Sequence, residues 1–510
     1  MSVIADIHES VPNPPFRLSV TLLVLAFILV PLYYVSAWIR NIYFHPLSRF
    51  PGPKLMAATR SSYLYTFICG DAISSSKELH DKYGPVVRVG PGELQFIDSD
   101  AWKAIYGFRQ GQPQKQKDAR FYAPPADGCP SILTCSDADH TRQRRALSHA
   151  FSDRSLHAQA PIMKKYTDLF LQRMYERSGP SSEPVDIVAW YNFLTFDLIG
   201  DMTFGEPFGC LENAYYHPWV SVIFGNLKSG AYMAVFKRIP GVSHLLRYVT
   251  PKKLIDAKMN HIKFTRQRVD ARLEKSNDRP DFFADILKHK GTDRAFSLPE
   301  LYSTGSTMIV AGSETTATLL SGATYYVLMN TNIWAKLADE IRGAFKSEDE
   351  ITIDTVSKLE YLSAVLTETL RIYPPIPGSL PRLVGDQGDM IAGEWIPPNT
   401  IVSVHQGAAY LSEYNYKHAT EFIPERHLND PRFAGDNKEV LQPFSTGPRN
   451  CIGRNLAYCE MRLVFSRLVY NFDMELADPN CNWNKQKCYI FWEKEPLMIK
   501  LTPRAGVKFM

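Results

Sequence analysis

The sequence predicts a mainly α protein: one large α-rich domain with small β-sheets, behind an N-terminal transmembrane helix. Three observations carry this. A run without charge, from Leu18 to Ile39, opens the chain. Apolar residues recur at helical spacing through most of the stretch from about residue 138 to 380. Short strand-like pieces with turn residues between them occur only before and after that stretch.

Of the 510 residues, 45% are hydrophobic and 22% charged, the balance of a globular chain. The net charge of +4 is too mild to point to nucleic acid, and no basic stripe is interleaved with aromatics. The eight cysteines form no CxxC and no zinc-finger spacing, and no N-x-Ser/Thr sequon occurs. Reduced thiols in a cytosol-facing domain suit both facts.

Residues 1–17 read as a short tail and 18–39 as the anchor. As a helix the uncharged run spans roughly 33 Å, enough for a bilayer core. Pro31 is expected to kink it, and Tyr33, Tyr34 and Trp38 gather near one end as an interfacial belt would. A cleaved signal peptide would have a shorter apolar region behind a basic flank. Here Asp6 and Glu9 precede the run, and Arg40, Arg49, Lys54 and Arg60 follow it. Positive-inside logic then leaves the body in the cytosol.

Residues 40–54 contain Pro46, Pro51 and Pro53 and predict a stiff linker. The remainder, 55–510, reads as one domain. VVRVGPGELQFID predicts a hairpin around Pro91-Gly92; its GxG lacks the third glycine of a dinucleotide site, because Gln95 stands there. TIDTVSKLEYLSAVLTETLRIY predicts a helix that Asp354 can cap. MIAGEWIPPNTIVSV predicts short strands, and a last helix is expected over roughly Asn455 to Leu468.

The chemistry gathers at FSTGPRNCIG. Phe444, Gly447, Arg449, Cys451 and Gly453 satisfy F-x-x-G-x-R-x-C-x-G, a match expected by chance at on the order of 10⁻⁴ in this chain. Glycines let the backbone turn tightly and bring N–H groups near the sulfur. Those donors and the start of a helix favour a thiolate, a ligand that promotes O–O cleavage on haem iron. In this segment the chain resembles the cytochrome P-450 family. Its entry segment FHPLSRFPGPKL and its PER context are similar to the fungal membrane-bound branch, including trichothecene hydroxylases of secondary metabolism.

Two further segments extend the resemblance. Glu368-Thr-Leu-Arg371 is an E-x-x-R on one helix face, and FIPERHL supplies Arg426. The resemblance implies a buried ion network of Glu368, Arg371 and Arg426 behind the haem. AGSETTA lies in a long apolar helical pattern, where Gly312 costs about 1 kcal/mol relative to alanine. Read by itself, this segment suggests close helix packing with Glu314 on a solvated face. The resemblance implies instead a helix that opens over the haem, with Thr315 bonding bound dioxygen and Glu314 on the proton path.

For the propionates the resemblance implies Arg449, Arg144, Arg382 and His140, the last where many members have tryptophan. It implies that Gly447 and Gly453 shape the backbone around the sulfur while Phe444 shields it. Other cysteines read as packed small residues or loop thiols. The resemblance implies a pocket near FYAPPADGCPSILT, the helix before Ala311, PPIPGSLP and Ile490-Phe491; YYHPWVSVIFGNLKSGAYMAVFKRIPGV reads by itself as core packing, while the resemblance implies a substrate lid there. These apolar stretches favour a lipophilic substrate.

The implied activity is that of a monooxygenase with haem b and O2. Its electrons are expected from NADPH through a cytochrome P-450 reductase, since no flavin module fits in the chain. The expected place is the endoplasmic reticulum membrane, single-pass, with the catalytic domain facing the cytosol. Two other readings of the motif set stay open: a haem-thiolate isomerase or dehydratase that does not consume O2, and a non-catalytic haem sensor or scaffold.

Overall fold

The computed structural model describes residues 14–122, 128–179, 182–220, 232, 235–236, 250–275 and 279–506. Ten helices of twelve residues or more stand among them, numbered in chain order. They are α1 Pro14–Ile39, α2 Ala72–Tyr83, α3 Asp137–Ser148, α4 Asp153–Tyr175 and α5 Ile187–Phe204. The rest are α6 Lys252–Leu273, α7 Leu298–Leu328, α8 Thr331–Ala344, α9 Glu360–Ile372 and α10 Arg454–Asn471. Most of the expected lid segment lies outside the described residues.

α1 runs through Pro31 and continues into a π-helical turn, Arg40–Phe44. Among the described residues, one helix is long and apolar enough to cross a membrane, over Phe27–Phe44, with none of that window buried. The Asn41 side chain donates to Ala58 O at 3.0 Å, and Arg49 donates to Trp395 O at 2.6 Å. The linker is therefore tied to the body at two points.

The hairpin around Pro91-Gly92 forms as expected. β1 (Val86–Gly90) pairs antiparallel with β2 (Glu93–Phe96), with Val86 opposite Phe96. The full sheet has the order β1-β2-β8-β5-β3, where β3 is Gln116–Lys117, β5 is Arg382–Leu383 and β8 is Ile401–Val404. Only β2 and β8 run parallel in it. A second sheet joins β4 (Val185–Asp186), β10 (Met498–Pro503) and β9 (Phe472–Leu476), and β6 (Asp389–Ile391) pairs with β7 (Glu394–Ile396).

The core forms around α5 and α7. α5 is buried on all sides, as an apolar helix without a polar stripe must be. α7 starts at a capping box, Ser297 with Glu300, and has 31 residues. Its glycines admit large neighbours. A methyl at Gly312 would lie 2.5 Å from Ile199 Cδ1, and one at Gly322 would lie 2.6 Å from Tyr373 Cδ1. Gly312 is thus explained by helix packing, and α7 runs unbroken through Ala311–Thr316.

The expected cap at Asp354 is corrected. Thr352 caps a short helix, Ile353–Val356, by accepting from Thr355 N, and α9 starts separately at Glu360. Asp354 sits inside that first turn, and its carboxylate meets His157 Nε2 at 2.8 Å instead.

Candidate active site

The turn before α10 is closed by backbone bonds: Cys451 N–H donates to Phe444 O at 2.8 Å and Asn450 N–H to Gly447 O at 3.1 Å. Gly447 has φ +73°, and a Cβ there would lie 1.9 Å from Tyr106 O. Both facts demand glycine. Gly453 differs: its φ is −84°, and the nearest neighbour of a Cβ would be Phe151 at 3.8 Å. The Phe444 ring stands 5.3 Å from Tyr458.

Cys451 is accessible yet lies deep among protein atoms, as a side chain on the wall of an interior cleft does. Burial raises its thiol pKa; the Gly453 N–H, Arg144 and Arg454 pull the other way without prevailing. The donors expected from the sequence are present, but desolvation outweighs them. A buried thiol of this kind ionises on binding a metal cation.

Beside the turn stands a group of cations. Arg449 binds Asp137 Oδ1 at 2.7 Å and Cys135 O at 2.9 Å, while its second terminal nitrogen is buried with no partner among the described residues. Arg144 donates to Asn450 O at 2.7 Å and to the Asn450 side chain. Arg382 is buried, donates to Tyr122 OH at 3.1 Å, and lies over the Tyr106 and Tyr122 rings. His140 is buried, and its pKa falls to about 4 through burial and the charges of Arg449, Arg144 and Lys117.

Sequence reasoning missed Lys117. It donates to Leu133 O, lies over Tyr122, and has its pKa lowered to about 7 by burial, then by Arg382 and Arg449. No local motif marks it; only the pairing of β3 with β5 brings it here.

Glu368, Arg371 and Arg426 do meet, fully buried. Arg371 donates twice to Glu368, at 2.7 and 2.9 Å, and Arg426 Nε donates at 3.0 Å. His427 and Asp436, also missed, complete the network at 2.9 Å from Glu368 and 2.5 Å from Arg426. Burial alone would raise the Glu368 pKa, but Arg371 and then His427 bring it down to about 2. Arg371 also binds the carbonyls of Tyr410, Ala419 and Glu421, joining α9 to the loop before the cysteine turn.

On α7, Ala311 is exposed in mid-helix and Thr315, on the same face one turn later, is half-buried. The Thr315 hydroxyl donates to Ala311 O at 2.7 Å. The next residue, Thr316, donates to Glu460 Oε2 at 3.2 Å, on the helix that the cysteine turn starts. This contact packs α7 against α10. Glu460 is buried, and burial lifts its pKa to about 8. Glu314 is buried, not solvated, and is paired with Lys494.

Arg449, Arg382, Arg144, His140 and Lys117 gather beside an accessible thiol, Asp137 is paired with Arg449, and an arginine nitrogen there is left without a partner among the described residues. Such a cluster calls for a group that brings carboxylates and a metal to one place, and haem does so through two propionates and its iron. Fold and site together define a haem-thiolate protein.

The comparisons with known proteins agree. The family model for cytochrome P450 matches residues 64–501, and the chain belongs to that family. It is 44% identical over 476 residues to the cytochrome P450 monooxygenase astA of Talaromyces wortmannii, covering 93% of this chain and 96% of the relative. It is 42% identical to an averantin hydroxylase of Dothistroma septosporum, over 91% and 88% of the two chains. It is 41% identical to a trichothecene C-15 hydroxylase of Fusarium sporotrichioides, over 92% and 96%. The protein is a haem-thiolate monooxygenase that requires O2, a substrate and electrons from a redox partner.

Proposed function

We propose that the protein hydroxylates or epoxidises a lipophilic secondary metabolite of a fungus, following the net reaction R–H + O2 + 2 e⁻ + 2 H⁺ → R–OH + H2O in the hydroxylating case. Cys451 would hold the haem iron, and Arg449, Arg144, Arg382, His140 and Lys117 its propionates. When bound, the haem supplies dioxygen binding and activation. The chain's own part is to place a hydroxyl and an acid next to that chemistry. Thr315 presents its hydroxyl at the open face of α7, and Glu314 supplies protons from the buried side.

The observation that carries this reading is Thr315 beside an exposed Ala311, on a helix bonded to α10 through Thr316 and Glu460. The names of the relatives, which include an averantin hydroxylase and a trichothecene C-15 hydroxylase, support oxidation of such metabolites. NADPH–cytochrome P-450 reductase is the proposed electron donor. α1 would anchor the protein in the endoplasmic reticulum, and Arg40, Arg49, Lys54 and Arg60 favour a cytosolic body.

The test is to profile a deletion strain, isolate the metabolite that accumulates, and supply it to the enzyme with reductase under ¹⁸O2. One labelled oxygen in the product is expected. Product without label would favour the isomerase or dehydratase reading.

A further inference from the structure

Glu314 is held by a lysine from the far end of the chain. Lys494 Nζ contacts Glu314 Oε1 as an ion pair and donates to Thr318 Oγ1 at 2.8 Å. Thr318 in turn donates to the same Glu314 oxygen at 3.3 Å. Both side chains of the pair are nearly sealed, at 3% and 4% exposure. The other oxygen, Oε2, is buried and has no partner among the described residues. A carboxylate in such surroundings is fixed by its cation.

The direction of that hold matters. Glu314 and Thr318 lie one turn apart on the same face of α7, whereas Thr315 is rotated by about 100° from Glu314. The ion pair therefore keeps the carboxylate off the face that Thr315 presents. Thr315 meanwhile bonds back to Ala311 O and not to the acid.

Lys494 is carried by the segment that includes Ile490 and Phe491, one of the expected pocket walls. Trp492 in it stacks on Tyr373 at 4.7 Å and donates to Pro374 O at 2.8 Å. Tyr373 also donates to Gln486 at 2.7 Å. The wall and the lysine are thus parts of one braced loop.

We propose that Lys494 is a positioning residue for Glu314. It holds the acid away from Thr315, and proton delivery requires the pair to separate, which couples the 485–497 loop to catalysis. The proposal rests on the reading of Glu314 as the proton-path acid.

The test needs neither the natural substrate nor the reductase. Holoprotein is reduced with dithionite and mixed with aerated buffer in H2O and in D2O, and its reoxidation is followed by haem absorbance. Dioxygen takes the electron together with a proton and leaves as the hydroperoxyl radical, so proton supply enters the rate.

If the separated pair is a minor population, Lys494→Met is expected to speed reoxidation by about three- to tenfold. The solvent isotope effect should change with it. 4-Phenylimidazole should bind within about twofold of wild type, showing an intact pocket. The double variant Glu314→Gln/Lys494→Met should match Glu314→Gln alone, because the lysine acts only through the acid. Lys494→Gln replaces Lys494→Met if the latter loads no haem. An unchanged rate and isotope effect overturn the proposal, as does a lysine effect that persists in the Glu314→Gln background. Haem loss in both lysine variants would assign Lys494 to folding alone and also overturn it. If Glu314→Gln reoxidises like wild type, the reading of Glu314 itself fails, a result separate from the others.

Discussion

Lys117 and Arg382 stand directly opposite each other across the β3–β5 pair. Like charges so placed destabilise a sheet. An anion between them would offset that repulsion, and the nearby Asp137 is already engaged by Arg449.

Lys117→Met should therefore act with opposite signs on two forms of the protein. The haem-free form should be as stable as wild type or more so. The holoprotein should lose haem about tenfold faster, the value of one charged hydrogen bond. Haem transfer to an excess of apomyoglobin measures the second effect, and melting of the apoprotein measures the first.

Removing Glu368 leaves the buried Arg371 without a carboxylate and Arg426 with Asp436 alone, with an expected cost of about 3–5 kcal/mol. Glu368→Ala should accumulate as misfolded, haem-free protein, and recovery of normally loaded holoprotein would contradict this. The same residue sets an acid limit. Its folded pKa of about 2 lies below the ordinary 4.5, so its contribution is complete above about pH 4.5. That contribution is lost as pH falls from there towards 2. His427→Ala should raise the acid midpoint of unfolding by relaxing the depression.

Much of this was legible in the sequence because it is local. The turn from Phe444 to Gly453 and the Glu368–Arg371 pair each lie within one short segment, and the structure places them as short-range geometry dictates. The Pro91-Gly92 hairpin likewise follows from its own residues. What could not be read depends on distant apposition. Lys494 meets Glu314 across 180 residues, and Arg449 meets Asp137 across 312. The cap expected at Asp354 fails for another reason: Thr352, two residues earlier, accepts from Thr355 N, and backbone geometry decides where the helix begins.

Gly447→Ala should abolish haem loading even though the change adds one methyl. Its Cβ would overlap Tyr106 O in a backbone conformation that already disfavours a side chain. Gly453→Ala, with 3.8 Å to its nearest described neighbour, should still fold. Reduced-CO spectra of both variants at equal expression provide the comparison.

Thr315→Ala should leave folding intact and divert electrons to peroxide, with product per electron pair consumed falling several-fold. Thr316→Val should behave differently, since Thr316 bonds Glu460 and not the open face. A pairing of peroxide and product assays on the two variants checks the distinction. Unchanged coupling in Thr315→Ala would count against its role.

Glu460 makes stability fall with rising pH. Between about pH 4.5 and 8 the folded chain keeps a proton that the unfolded chain releases. Each pH unit in this window costs on the order of 1 kcal/mol. Glu460→Gln imitates the protonated acid without the linkage. Its stability advantage should be near zero at pH 5 and grow steadily towards pH 8, as denaturant titrations at several pH values would show.

The contact between Gly447 and Tyr106 carries a consequence for biosynthesis. The wall that receives the cysteine turn, at Tyr106, is translated more than 300 residues before the turn itself. Arg449 must then find Asp137 and Cys135, more than 300 residues upstream. A nascent chain cannot close its cofactor site until Cys451 has been made, so a stall anywhere before it leaves an open, haem-free product for the quality-control machinery to remove.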